Sequence, residues 1–135
     1  MKKILTLVLL IGVAVVSSSC RKEITQVVQP NQTIHFTVNA NDWELGNDDY
    51  TYSVTLDIPE IDNYFQENGA VLVYISSDGG STYEQVPEVY NGQAFSFSHT
   101  RGGIQIDSQP YDGQTPALDN PGGMLVKVVL VDSTP

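Results

Sequence analysis

Tyr50-Thr51-Tyr52-Ser53-Val54-Thr55-Leu56-Asp57-Ile58 alternates large apolar with small polar side chains at every position. A period of two belongs to an extended strand, whose successive side chains point to opposite faces. Read so, Tyr50, Tyr52, Val54, Leu56 and Ile58 meet a core while Thr51, Ser53, Thr55 and Asp57 meet water. One wet face implies an antiparallel sheet packed on one side only. Asn47-Asp48-Asp49 supplies turn residues ahead of it.

The same period recurs on both sides of this stretch. Ile34, Phe36 and Val38 share one face of a strand from Thr33. Ala70 to Ile75 is an unbroken apolar run closed by Ser77-Asp78-Gly79-Gly80, as expected of a strand buried on both faces. A weaker strand follows over Thr82 to Val86. Phe95 and Phe97, then Ile104 and Ile106, alternate with polar residues around His99-Thr100-Arg101-Gly102 and predict a hairpin. Met124 to Val131 is apolar on both faces except for Lys127, the pattern of a central strand. Between the strands, Pro59 suits a first helical turn, Ile61 can meet Phe65, and Asn68-Gly69 offers a left-handed stop, so 59–68 is expected to form a short helix. About seven short strands with turn chemistry between them predict an all-β fold, an antiparallel sandwich of immunoglobulin-like or jelly-roll-like kind.

Charge narrows the partners. The chain of 135 residues has sixteen acids and six bases, and only Arg101 and Lys127 lie beyond Ile24. Removing Glu23 leaves fifteen acids against those two bases, so the domain carries −13. Such a surface repels phosphate backbones, which argues against nucleic acid. A single cysteine cannot close a disulfide within the chain, so the core alone must hold the fold.

That cysteine is explained by its position. Met1-Lys2-Lys3 is a basic leader, Ile4 to Val16 an apolar run, and Ser17-Ser18-Ser19 directly precedes Cys20. This order is that of a signal peptide, expected as a helix before removal. A thirteen-residue helix rises only about 20 Å against a hydrocarbon core of about 30 Å, too short to span. The serines and Cys20 resemble the lipobox of bacterial lipoproteins, with Ser17 where Leu is usual. The resemblance implies a cysteine diacylated on sulfur that becomes the new N-terminus. Two or more acyl chains hold a protein stably on a bilayer, each buried CH₂ contributing about 0.8 kcal/mol. The organisation expected is a signal peptide over 1–19, the lipidated cysteine and a polar spacer over 20–32, and a β-sandwich domain over 33–135. The location expected is the outer membrane or cell surface.

A wider resemblance rests on Phe36-Thr37-Val38-Asn39 leading to Asp42-Trp43, on Glu67-Asn68-Gly69-Ala70-Val71-Leu72-Val73-Tyr74, and on Val126-Lys127-Val128-Val129. These are similar to uncharacterised secreted lipoproteins of Bacteroidota, some described as collagen-like for a Gly-Pro stalk after the lipid cysteine. Arg21 to Gln32 carries no such repeat. The resemblance implies fold and location and brings no activity or site residues.

Catalytic patterns are sparse. His35 and His99 are the only imidazoles, and neither accompanies a Gly-x-Ser-x-Gly elbow or an H-E-x-x-H pair. Surface histidines are the commoner reading of both, and no enzyme is expected. Trp43, Tyr83, Tyr90 and Tyr111 fall on or near loops, where flat faces could stack on sugar rings, although ordinary packing is the commoner fate of each. No cofactor is expected; calcium is the candidate cation, with Asp107, Asp112 and Asp119 as ligands, weighed against plain solvated turns. The proline- and glycine-rich stretch from Ser108 to Gly123 is long for a loop in a compact domain. Asp132-Ser133-Thr134 resembles the O-glycosylation sequon of Bacteroidota, making Ser133 a candidate acceptor. The function expected is a non-enzymatic binding or structural module of the cell envelope, with a surface glycan-binding protein or adhesin as the alternative. Its partners would be the membrane, through the lipid, and a glycan or an envelope protein.

Intact-mass and peptide mass spectrometry of the protein matured in its host should find Cys20 as an acylated N-terminus. An unmodified Cys20, or the uncleaved precursor, would overturn the anchor.

Overall fold

The computed structural model describes residues 31–113 and 119–133. The leader, Cys20 and the spacer before Asn31 therefore lie outside the described residues.

Nine strands form two antiparallel sheets. The first contains β1 (Gln32–Val38), β4 (Ala70–Ser76), β5 (Glu84–Val86) and β9 (Met124–Val131), in the order β1-β9-β4-β5. The second contains β2 (Glu44–Leu45), β3 (Tyr52–Asp57), β6 (Glu88–Tyr90), β7 (Gln93–Thr100) and β8 (Gly103–Pro110), in the order β2-β3-β8-β7-β6. The all-β sandwich is thus as the alternation implies. The long strands β1 and β3 lie in different sheets, and β9 inserts between β1 and β4. The first strand pairs with the last, whereas the immunoglobulin arrangement pairs its first two strands in one sheet.

Period-two patterning aligns the core. In the first sheet Ile34, Val128, Val73 and Val86 are opposite one another across all four strands. In the second, Val54, Ile106 and Phe97 form one such row and Leu56 faces Ile104. Most of these side chains are buried, and Ile34 and Phe97 pack against the cluster from its margin.

Two expectations need correction. β4 and β9 are not buried on both faces: Leu72, Tyr74, Leu125 and Val129 are only half-buried on the outside of the sheet. The apolar run at Ala70 to Ile75 reads as doubly covered because its outer positions are also apolar, but no described layer lies over them. The helix is shorter than expected. α1 spans Asn63–Asn68, capped by the Asp62 side chain, which accepts from the Phe65 amide at 2.8 Å. Pro59 instead lies in a turn closed by Ile61 N–H donating to the Ile58 carbonyl. Gly69 is extended at φ −85°, not left-handed. A methyl group there would lie 2.5 Å from the Phe65 ring, so close approach is what selects glycine. Ile61 and Phe65 plug that end of the core.

β2 and β6 have no counterpart in the alternation, being two and three residues long. β7 and β8 are eight residues each, longer than their apolar pairs suggest. Between β5 and β6 the chain changes sheets across a cis Val86-Pro87 bond, so that flank is closed by covalent chain.

Ile106 is fully buried (0% exposed) at the centre of β8. Urea unfolding of Ile106→Ala should show a loss of about 2–5 kcal/mol at an unchanged slope. Ser96→Ala, on the wet face of β7, should fall within about 0.5 kcal/mol of the parent.

Candidate functional site

The two ends of the sandwich differ in chemistry. At one end Asn31 Oδ1 accepts from the Asp132 amide, Tyr64 Oη donates to the Ser133 carbonyl, and Ile58 N–H donates to Gly102. The chain entry, α1 and the β7-β8 turn therefore share this end. At the other, Trp43 Nε1 donates to the Gly122 carbonyl at 2.9 Å, Gln93 Nε2 to the Asp119 carbonyl at 2.7 Å, and Tyr111 N–H to Gly92 at 3.0 Å. The β1-β2 crossover, the Asn91-Gly92 turn and the β8-β9 connection meet there. That connection begins only after Pro110, because β8 continues through Ser108 and Gln109.

The four aromatics do not form one platform. Trp43 is buried (5% exposed) and meets the Phe95 ring edge-on at a centroid distance of 6.4 Å, so it is core. Tyr83 joins Tyr74 on the outside of the first sheet, with Lys127 Nζ 4.4 Å and 4.5 Å from their ring centres. Its face is already occupied by a cation. Tyr90 and Tyr111 remain exposed, at 43% and 69%, on either side of the Asn91-Gly92 turn. Tyr50, expected to face the core, instead lies ahead of β3 and is exposed with Leu45 at the same end.

The calcium candidates are not gathered either. Asp107 lies on the wet face of β8, accepting from Ser53 Oγ at 2.6 Å and Gln105 Nε2 at 2.8 Å. Asp112 and Asp119 lie in the β8-β9 connection, on either side of residues outside the description. Among the described residues no three His, Cys, Asp or Glu converge as a metal site. His35 is exposed on β1, and His99 Nδ1 lies 3.0 Å from Gln66 Oε1. Ser133 is exposed beside Tyr64, while Thr134 of its sequon lies outside the described residues.

Asp48 and Asp78, both in loops at the aromatic end, organise those loops through their carboxylates. Asp48 accepts from the Thr51 hydroxyl at 2.6 Å and from the Tyr50 and Thr51 amides. Asp78 accepts from the Thr82 amide and the Ser76 hydroxyl. The hydroxyl of Thr51 first, then these amides, holds the Asp48 carboxyl below its ordinary value; for Asp78 the Thr82 amide leads, then Ser76. Hydrogen bonds to the charged form are the physical cause.

Depressions lie beside the Asp48 loop and at the chain-entry end. A groove of about 760 Å³ separates Thr37 and Val38 of β1 from Ser53 to Leu56 of β3, with Asp42 and Glu44 in its wall. A smaller pocket of about 230 Å³ lies at the chain-entry end between Gln32, Glu60, Asp62, Phe65 and Asp132.

No protein-family model, curated protein or solved structure matches the chain.

A carboxylate with a lowered folded value contributes stability above its unfolded value and loses it as pH falls through the folded one. Melting temperature should therefore decline below the ordinary value of 3.8. An Asp48→Asn, Asp78→Asn double variant should show a shallower decline in that window. Parallel curves for variant and parent would contradict this.

Proposed function

We propose that this chain is a non-enzymatic, lipid-anchored module of the cell envelope that binds its ligand at the loop end bearing Tyr90 and Tyr111. The observation behind this reading is that exposed Tyr50, Tyr90 and Tyr111 gather at the end opposite the chain entry, where Tyr64 is the exposed aromatic. β1 leaves Asn31 and runs seven residues toward the aromatic end, about 23 Å at about 3.3 Å per residue. A tether at Cys20 then holds the Asn31 end near the bilayer and directs Tyr90, Tyr111, Leu45 and Tyr50 away from it. The stretch from Arg21 to Asn31 reaches at most about 40 Å when extended, which keeps the domain close to the membrane.

The ligand class favoured is a glycan. Two exposed tyrosines flanking one turn offer stacking faces with polar tips, and the acidic surface disfavours phosphate-bearing ligands. A second reading, a fixed envelope-protein partner, draws on the half-buried Leu72, Leu125 and Val129 on the outer face of the first sheet.

Retention of the matured protein on immobilised envelope and host polysaccharides tests the first reading. Tyr90→Ala with Tyr111→Ala should abolish retention while leaving the melting temperature within about 2 °C of the parent, as for exposed sites. Unchanged retention would reject the loop end as the ligand surface. Ligand-independent co-purification with one membrane protein, lost on Val129→Glu, would favour the second reading.

A further inference from the structure

The flank opposite the β5-β6 crossing is crossed by described chain at one end only, where β1 passes through Ala40–Asp42 to β2. β2 pairs with β3 only at Glu44 with Ser53 and Leu45 with Tyr52. Beyond Ser53 the rest of β3, through Asp57, has a neighbour on its β8 side alone.

Two hydrogen bonds fix which backbone groups are left over. Gly46 N–H donates to the Thr51 carbonyl at 2.7 Å, so Thr51 directs its backbone groups toward β2. Ile58 N–H donates to the Gly102 carbonyl at 2.8 Å, so Ile58 directs its own toward β8. Backbone direction alternates along an antiparallel strand. Thr51, Ser53, Thr55 and Asp57 therefore aim at the β2 side, and Val54 and Leu56 at β8. At Thr55 and Asp57 no strand among the described residues receives them. Thr55 borders the groove between β1 and β3.

The register also states what fits. Extending the β2 line antiparallel to β3 places one residue opposite Thr55, one opposite Leu56 and one opposite Asp57. The first and third lie on the wet face, in the row of Glu44 and Asp57, both exposed acids. The middle one points inward, toward Leu56 and the Val38 side of the groove. A strand alternating basic and apolar residues satisfies both faces, and a domain charge of −13 attracts it from solution.

We propose that the β3 edge at Thr55 and Asp57 accepts an extended cationic-apolar segment of a partner protein by strand addition. This site is separate from the Tyr90 and Tyr111 end and stands whether or not a glycan binds there.

The test uses the matured full chain in detergent and a fluorescent Lys-Val-Lys-Val-Lys-Val-Lys peptide, with a Glu-Val peptide of equal length as control. Saturable anisotropy for the lysine peptide only, with amide shifts centred on Glu44 and on Thr55 to Asp57, is expected. Glu44→Lys with Asp57→Lys should weaken binding about tenfold or more, and added salt should weaken it in the parent. Thr55→Pro removes an edge donor without touching the β8 ladder and should weaken binding about five- to tenfold. Equal binding of the Glu-Val peptide, undiminished binding by the charge-reversed variant, or shifts centred on β1 would overturn the proposal. So would concentration-dependent shifts at Thr55 without peptide, which would make a second copy the occupant.

Discussion

The inward turn of Trp43 is the contact on which the rest of the architecture depends. Its indole packs edge-on against Phe95 and its N–H is satisfied by the Gly122 carbonyl, so one side chain ties the β1-β2 crossover, β7 and the start of β9 together. A buried indole needs both an apolar envelope and a partner for its N–H, and this position supplies both. Ahead of Trp43 the chain leaves the β2 line, with Asn41 and Asp42 still lining the groove beside β3. Ala40–Asp42 form a single 3-10 turn, fastened by Asp42 Oδ2 accepting from the Asn39 amide at 2.7 Å, and the chain passes to the first sheet. The two-residue length of β2 and the uncovered edge of β3 follow from that departure.

Much of this fold is legible in residue order where burial is one-sided. Val54 and Leu56, Ile104 and Ile106, and Val126, Val128 and Leu130 alternate because each strand has one face in a common core. Legibility fails where that logic is absent. β6 has no apolar alternation, yet Asn91-Gly92, both at positive φ (50° and 76°), is the dipeptide of a tight primed hairpin turn and marks the strand pair around it. β2 carries no local signal because two residues cannot show an alternation. The apolar outer positions of β4 and β9 suggest covering layers, and only the structure shows them half-buried.

The site was less legible than the fold, for a related reason. An aromatic near a turn reads the same whether it packs inward like Trp43, clasps a lysine like Tyr83, or stands in water like Tyr111. Those outcomes depend on residues distant in sequence: Gly122 for Trp43 and Lys127 for Tyr83. The aspartates behave likewise. Asp48 and Asp78 spend their carboxylates on nearby amides and hydroxyls, and Asp107 on Ser53 and Gln105 across and along the sheet. Among the described residues the calcium candidates do not converge as a group of three. An acidic domain with its acids so distributed has a diffuse attraction for cations, and the open edge of β3 is where that attraction coincides with unpaired backbone.

Amide hydrogen exchange of the free protein, followed residue by residue along β3, tests the account most directly. Alternating protection is the predicted result, with Val54 and Leu56 slow through their bonds to β8 and Thr55 and Asp57 fast at an uncovered edge. Thr55 and Asp57 exchanging as slowly as Val54 and Leu56 would mean that the edge is covered, and would contradict the claim that β3 is open beyond Ser53.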